Sequence, residues 1–350
     1  MDAKQFSSDK ILKHLDRVNE WLFKANTFPV TLELDITNIC NNRCPKCFGF
    51  YGDNSSSIPS DKAKSILCQI KELGGKAVTF TGGGEPLCHP DAAKLIAYAK
   101  NLGLDTALIT NGFSLDKNTI DTVLKSCTWI RISLDAATPK LYRQTHGMGK
   151  VTFDKTLNNI KLLVERKKTL KNETVIGIGF LTADFTLKEM YACTKLCKNM
   201  EVDYIQFRPY LRLFAEETEP ERKVAEVLRK IKRCFQLAGS GFDVLYSKHK
   251  YDSMKFDQFQ RKYKVCYGHH FTTTIAADQK LYLCCHMRGV EKYCLGDLKK
   301  KSFKEIWNSK RRVKVYENID FKDCPALCRC NTFNEILWNI KQEISHKNFL

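Results

Sequence analysis

Between positions 29 and 210 the chain alternates two hydrophobic rhythms. Short apolar runs such as PVTLELDIT, KAVTFT, DTALIT, WIRIS, TVIGIGFLT and VDYIQFRPY have the length and β-branched content of strands. Between them, DKAKSILCQIKELGG, PDAAKLIAYAKNLGL, DKNTIDTVLKSC, FDKTLNNIKLLVERKK and TLKEMYACTKLCKNM repeat apolar residues at helical spacing, and the first of these stops at a glycine pair. Six strands joined by helices predict an α/β chain with a parallel sheet, and six units predict a partial (β/α)6 barrel of TIM type, short of a closed eight.

The rhythm breaks on both sides of that region. Residues 1–30 interleave charge with apolar positions at helical spacing and predict a helical extension of the barrel at 31–215. A charged helical connector is expected over 216–262. From 263 to 350 the chain is short segments and turns, and seven of the sixteen cysteines fall between Cys266 and Cys330. So small a region buries little apolar surface, so a metal or cluster is expected to supply part of its stability.

Composition narrows the function classes. The apolar fraction of 43% and charged fraction of 27% are those of a globular protein. No run of about 18 apolar residues suggests a membrane span, and the N-terminus lacks the uninterrupted apolar stretch of a secretory signal. A cytoplasmic location is therefore expected, where thiols stay reduced and cysteines serve as ligands or core residues. The net charge of +18 fits a lysine-rich solvated surface, an anionic small substrate, or a polyanion such as nucleic acid. No interleaving of basic and aromatic residues marks a single-strand channel.

The chemistry concentrates at two places. CNNRCPKC puts Cys40, Cys44 and Cys47 directly after the first strand, at the end of a barrel where catalytic loops lie. Three thiols leave one coordination position for a reactant, whereas a structural zinc wants four ligands. The second strand ends in Gly82, Gly83, Gly84, Glu85 and Pro86, where bare backbone lets a ligand approach. A zinc site completed by a distant ligand would leave that turn unexplained.

CNNRCPKC followed by TGGGEP on βα units resembles the radical S-adenosylmethionine (SAM) superfamily. The resemblance implies a [4Fe–4S] cluster on Cys40, Cys44 and Cys47, its fourth iron left to SAM. It implies reductive cleavage of SAM to a 5′-deoxyadenosyl radical that takes hydrogen from carbon. An external electron donor such as flavodoxin or ferredoxin would supply the electron. By the same resemblance Phe48 would lie beside the adenine, and Gly82, Gly83, Gly84 and Glu85 would hold the methionyl amine. Thr110, Asn111, Gly112, Ser133 and Asp135 would lie near the ribose and carboxylate, with Arg143 as a carboxylate partner. Ile178, Gly179, Gln206 and Arg208 would line the cofactor or substrate. For Asn111-Gly112 a plain turn explains the sequence equally well.

The C-terminal cysteines, with LGDL and SFKEIWNS between them, resemble the SPASM and Twitch auxiliary-cluster domains of that superfamily. One auxiliary [4Fe–4S] cluster is expected on Cys266, Cys284, Cys324 and Cys328. Cys285 and Cys330 would be spares able to replace a neighbour, and a structural four-thiolate zinc is the alternative. His269 and His270 would approach the second cluster or the substrate cavity. The 17 residues between Cys266 and Cys284 resemble the layout of an aminocyclitol dehydrogenase of this group. The expectation is therefore oxidation or rearrangement of a polar small molecule, sugar- or cyclitol-like. Modification of a ribosomally made peptide is the alternative, disfavoured by the short segment before the barrel. A cluster- or zinc-stabilised nucleic-acid-binding protein is the rival from another class.

Overall fold

The computed structural model of the chain describes residues 8–45, 47, 49, 53–210, 221–255, 261–325, 327–343, 345 and 348. The six expected strands form as β1 (Thr31–Asp35), β2 (Ala77–Thr81), β3 (Asp105–Thr110), β4 (Cys127–Ser133), β5 (Val175–Thr182) and β6 (Tyr204–Pro209). They lie side by side in chain order, every pair parallel. Their helices are α2 (Ser60–Glu72), α3 (Ala92–Asn101), α4 (Lys117–Ser126), α5 (Pro139–His146), α6 (Lys150–Thr169) and α7 (Met190–Asn199), with α1 (Leu15–Lys24) before the first strand. The side-chain period of two sorts each strand. Leu32 and Leu34, Ile130 and Ile132, Ile176 and Ile178, and Ile205 and Phe207 join one core with the helices. Glu33 and Asp35, Arg131 and Ser133, Gly177 and Gly179, and Gln206 and Arg208 take the opposite, luminal face. Ile178 therefore belongs to the outer core and does not line a cofactor.

The sheet is longer than the hydrophobic rhythm predicted. The connector holds α8 (Glu221–Cys234), α9 (Lys248–Lys255) and, between them, strand β7 (Asp243–Tyr246), which pairs parallel with β6. Four residues carry too little periodicity to distinguish a strand from a loop. At the other edge β8 (Thr272–Ile275) pairs parallel with β1, and β9 (Lys280–Tyr282) and β10 (Cys294–Asp297) continue antiparallel. The cysteine-rich region thus adds its hairpin to the barrel sheet itself, giving the order β10-β9-β8-β1-β2-β3-β4-β5-β6-β7.

Helices α10 (Phe303–Trp307), α11 (Lys310–Glu317) and α12 (Asn331–Lys341) close that region over the N-terminal segment. Trp21 of α1 is buried against Tyr267 and Phe271 and shares a small core with Leu337. The Trp307 indole donates to the Thr27 carbonyl at 2.8 Å, and Arg312 donates to Asn26 Oδ1 at 3.0 Å. Among the described residues no helix is long and apolar enough to cross a membrane.

Candidate active site

The three cysteines lie on the loop that leaves the carboxyl end of β1, Cys40 and Cys44 half-buried and Cys47 exposed. Phe48 lies outside the described residues. Backbone bonds to two neighbouring segments fix the loop: Gly84 N donates to Thr37 O at 3.0 Å and Glu85 N to Ile39 O at 2.9 Å, and Arg43 N donates to His146 O at 3.0 Å. Burial is the largest cause pushing both the Cys40 and Cys44 thiols upward, Cys40 to about 11, and neighbouring thiols add to it. Such thiols keep their protons unless a cation compensates the thiolates, which a metal centre does. The amide of Asn42 already points at Cys40 Sγ (3.4 Å), a hydrogen bond of the kind that tunes cluster sulfurs. Three soft donors on one loop fit an iron–sulfur cluster with one iron left open.

The glycines after β2 are explained by this loop. A Cβ on Gly83 would meet Asn38 Oδ1 at 2.0 Å, and one on Gly84 would meet Ile39 O at 2.3 Å. The glycine run lets the second loop lie flush on the cysteine loop, a contact between distant segments that no local pattern reveals. Glu85 is buried and fully engaged. Its carboxylate accepts from Thr110 Oγ1 (2.6 Å), Asn111 N (2.6 Å) and Leu87 N (3.1 Å). These bonds fix Glu85 within the turn expected to hold the methionyl amine. Asn111 is likewise consumed, its Nδ2 donating to Asn41 Oδ1 (2.6 Å) and its Oδ1 accepting from Phe113 N (3.0 Å). Gly112 takes φ +78 in the turn that follows, a conformation that favours glycine.

Beside the cysteine loop a cavity of about 320 Å³ opens at the carboxyl ends of β4–β6, lined by Pro45, Asp135, Thr145, Leu181, Phe185 and Tyr210 among others. That is at the small end of ligand pockets. Asp135 stands at its wall with φ +52, a left-handed conformation that Asp tolerates better than most side chains. Its Oδ1 accepts from Leu181 N at 2.6 Å, and Oδ2 lies 3.9 Å from His146 Nε2. Burial raises the Asp135 carboxyl and lowers the His146 imidazole. The half-buried Ser133 supports His146 through its backbone. Arg143 does not join this group: α5 buries Leu141, Tyr142 and His146 and leaves Arg143 exposed.

Two cations that the sequence did not single out, Arg131 and Lys250, lie near Arg208. Arg131 lies on the same face as Arg208 and donates to Gln206 Oε1 at 3.4 Å. Gly179 makes room for both, since a Cβ there would stand 3.0 Å from Arg208 Nη2 and 3.7 Å from Arg131 Cδ. Lys250 of α9 is buried near Arg208 on one side and near Cys285, Cys328 and Cys330 on the other. Nothing in the lysine-rich stretch SKHKYDSMK distinguishes Lys250 from Lys248, which is exposed.

A second buried charge cluster joins β1 to the C-terminal region. Arg288 reaches Asp35 Oδ1 at 3.1 Å and Glu33 Oε2 at 3.5 Å, and Arg329 also pairs with Glu33. Burial raises the Asp35 carboxyl to about 6, against the pull of Arg288. Between about pH 4 and 6 the folded chain therefore holds a proton that the unfolded chain has released. This group's stabilisation is complete below the unfolded value and is lost as pH rises through about 6. In parallel melts, the Tm of the wild type minus that of Asp35→Asn should fall across this window, tracking a free-energy contribution with a ceiling of about 3 kcal/mol. A difference that stays constant with pH would contradict it.

The C-terminal cysteines lie near enough to influence one another's thiols, although among the described residues no three His, Cys, Asp or Glu side chains are grouped closely enough to hold a metal ion. Burial is the largest cause raising the Cys284 thiol, followed by Cys330, Cys266 and Cys324. Cys330 N donates to Cys328 Sγ at 3.4 Å, and Asn334 Nδ2 donates to Cys266 Sγ at 3.5 Å. The two expected spares are neighbours of the expected ligands, Cys285 influenced by Cys284 and Cys330 by Cys328. The rings of His269 and His270 turn elsewhere, packing on Tyr316 and Arg312, while the His269 and Gly268 backbone supports Cys266.

Comparison with known proteins agrees with this geometry. A family model described as the radical SAM superfamily matches residues 34–186, and one for an iron–sulfur cluster-binding domain, SPASM, matches residues 266–331. The chain belongs to the radical SAM superfamily. It is an enzyme of that superfamily, with a [4Fe–4S] cluster and SAM as cofactors and further iron–sulfur at its SPASM domain. Over 210 residues it is 28% identical to a probable GTP 3′,8-cyclase of Methanococcus vannielii, covering 57% of this chain and 68% of that protein. It is 31% identical over 121 residues to an S-adenosylmethionine-dependent nucleotide dehydratase of Flammeovirga pacifica, 33% of this chain and 41% of the dehydratase. Its fold is similar to that of Streptococcus suis SuiB bound to precursor peptide SuiA, with TM-score 0.70 and 15% identity over 95% of this chain and 78% of SuiB. It is also similar to anSMEcpe with bound AdoMet, with TM-score 0.61 and 16% identity over 86% and 88% of the two chains.

Proposed function

We propose that this radical SAM enzyme oxidises or rearranges a polar small molecule held in the lumen between its two cysteine sets. The observation that carries this reading is the lining of that lumen. Asp135 lines the cavity, and Arg131, Gln206 and Arg208 stand on the inner face of β4 and β6 close behind it, a polar and charged set suited to a polar ligand. When bound, the cluster on Cys40, Cys44 and Cys47 with SAM supplies a 5′-deoxyadenosyl radical, and a cluster on Cys266, Cys284, Cys324 and Cys328 or their neighbours supplies an electron acceptor.

The chain's own residues do the rest. Glu85 locks the second loop against the cysteine loop, so that ligand-facing backbone is fixed before SAM arrives. Asp135 stands at the cavity wall, with His146 behind it, as a hydrogen-bonding partner for the ribose hydroxyls of SAM. The SPASM hairpin closes the lumen beside β1 and limits its access to water. A cytoplasmic location and a flavodoxin or ferredoxin donor complete the reading.

The second reading, a peptide substrate, is favoured by likeness of fold to SuiB, whose complex holds a precursor peptide. Anaerobic reconstitution with iron and sulfide, followed by SAM and a chemical reductant, should yield 5′-deoxyadenosine and about eight irons per chain. Sites filled by zinc, with no cleavage, would overturn the proposal. Anaerobic incubation with polyhydroxylated small molecules, set against short peptides, then separates the two substrate classes by which one accelerates 5′-deoxyadenosine formation.

A further inference from the structure

Resting on the reading above, we infer that Arg131, Arg208 and Lys250 receive an anionic oxygen-bearing group of the substrate, a carboxylate or a phosphate, in the lumen. The three cations come from distant parts of the chain, on β4, β6 and α9. Among the described residues no carboxylate forms an ion pair with any of them. The Nε atoms of Arg131 and Arg208 are buried without a hydrogen-bond partner, and the long contact to Gln206 engages one nitrogen of Arg131.

Facing them is Asp135, which acts on both guanidinium groups at a distance while its Oδ1 is held by Leu181 N. Glu33 and Asp35, the other luminal acids, are taken by Arg288 and Arg329. The two guanidinium groups thus answer to one shared carboxylate, and Lys250 has no carboxylate partner among the described residues. Burial and then Arg131 depress Arg208 to about 9. Bringing like charges together out of bulk water is costly, and an anion between them turns that cost into affinity. Guanidinium forks match carboxylate and phosphate oxygens two at a time, and an ammonium adds a point charge.

The carboxylate of SAM is a competing occupant, so SAM is present as one arm of the test. Reconstituted holoenzyme is titrated calorimetrically, without oxygen and at constant ionic strength, with inorganic phosphate and with malonate. Saturable binding that persists at saturating SAM is the expected result, and the tighter of the two probes names the source of the charge. Lys250→Met and Arg131→Gln should each weaken that binding about tenfold or more, as loss of a charge-assisted contact does. Lys250→Arg should restore most of it, and Lys248→Met on the exposed side of the same helix should leave it unchanged.

Binding abolished by SAM would assign the cations to SAM and overturn the inference, as would affinity unmoved in both lumen variants. Absence of saturable binding for either anion would also overturn it. Anion binding without any 5′-deoxyadenosine formation would instead sink the radical reading and leave the anion site standing.

Discussion

Alanine at any one of Cys40, Cys44 or Cys47 should reduce 5′-deoxyadenosine formation to the level of enzyme-free controls, with the loss of about four irons per chain. The effect is all-or-none because the three thiols act as a unit. Two remaining ligands leave two irons of a cube unheld, and the reactant's open position has meaning only when the other three are filled. Cys68→Ala is the matched control. Its thiol lies 3.0 Å from the Tyr98 hydroxyl between α2 and α3, remote from the cysteine loop, and its removal should leave iron content and cleavage at wild-type values. A variant lacking all three loop cysteines that still cleaved SAM would refute the assignment. Iron, sulfide and 5′-deoxyadenosine measured on the same preparation decide it.

Glu85→Ala should carry the second-largest effect, expressed first as stability. The substitution strands three donors, the Thr110 hydroxyl and the amides of Asn111 and Leu87. At about 1–3 kcal/mol for each buried unsatisfied group, partly relieved by water, a loss of about 3–5 kcal/mol follows. Melting should fall by on the order of 10 °C. Because Asn111 is also bonded to Asn41, the loosened turn frees the cysteine loop, and retained iron should fall with Tm. Glu85→Gln keeps one acceptor oxygen and should lie between the two. Wild-type melting and iron content in the alanine variant would show that the carboxylate is dispensable to the loops and free for a ligand.

What was legible in the chain was what is local. Cys40, Cys44 and Cys47 fall within eight positions, and the six strand-and-helix units each carry their own rhythm, so both are readable without tertiary knowledge. The glycine run was readable as a place of bare backbone, but its cause, contact with Asn38 and Ile39, joins loops some 45 residues apart. Arg143 falls on the exposed side of α5. Leu141, Tyr142 and His146 define the buried side of α5, and that spacing was available in the sequence. Arg131, Lys250 and the Glu33–Arg288 pair had no such signal. A buried cation and a solvated one read alike until strands from opposite ends of the chain meet.

The pairing of β8 with β1 carries a consequence for how the molecule comes into being. Thr31 finds its neighbour Thr272 only after some 240 further residues have been made, on the order of tens of seconds at ordinary rates of synthesis. Throughout that interval the strand bearing the cysteine loop is a sheet edge, with its acidic pair, Glu33 and Asp35, still waiting for Arg288 and Arg329. Long-range parallel closure of this kind comes late on a folding path. The nascent barrel therefore presents an open flank to iron delivery until its own C-terminus arrives to seal it.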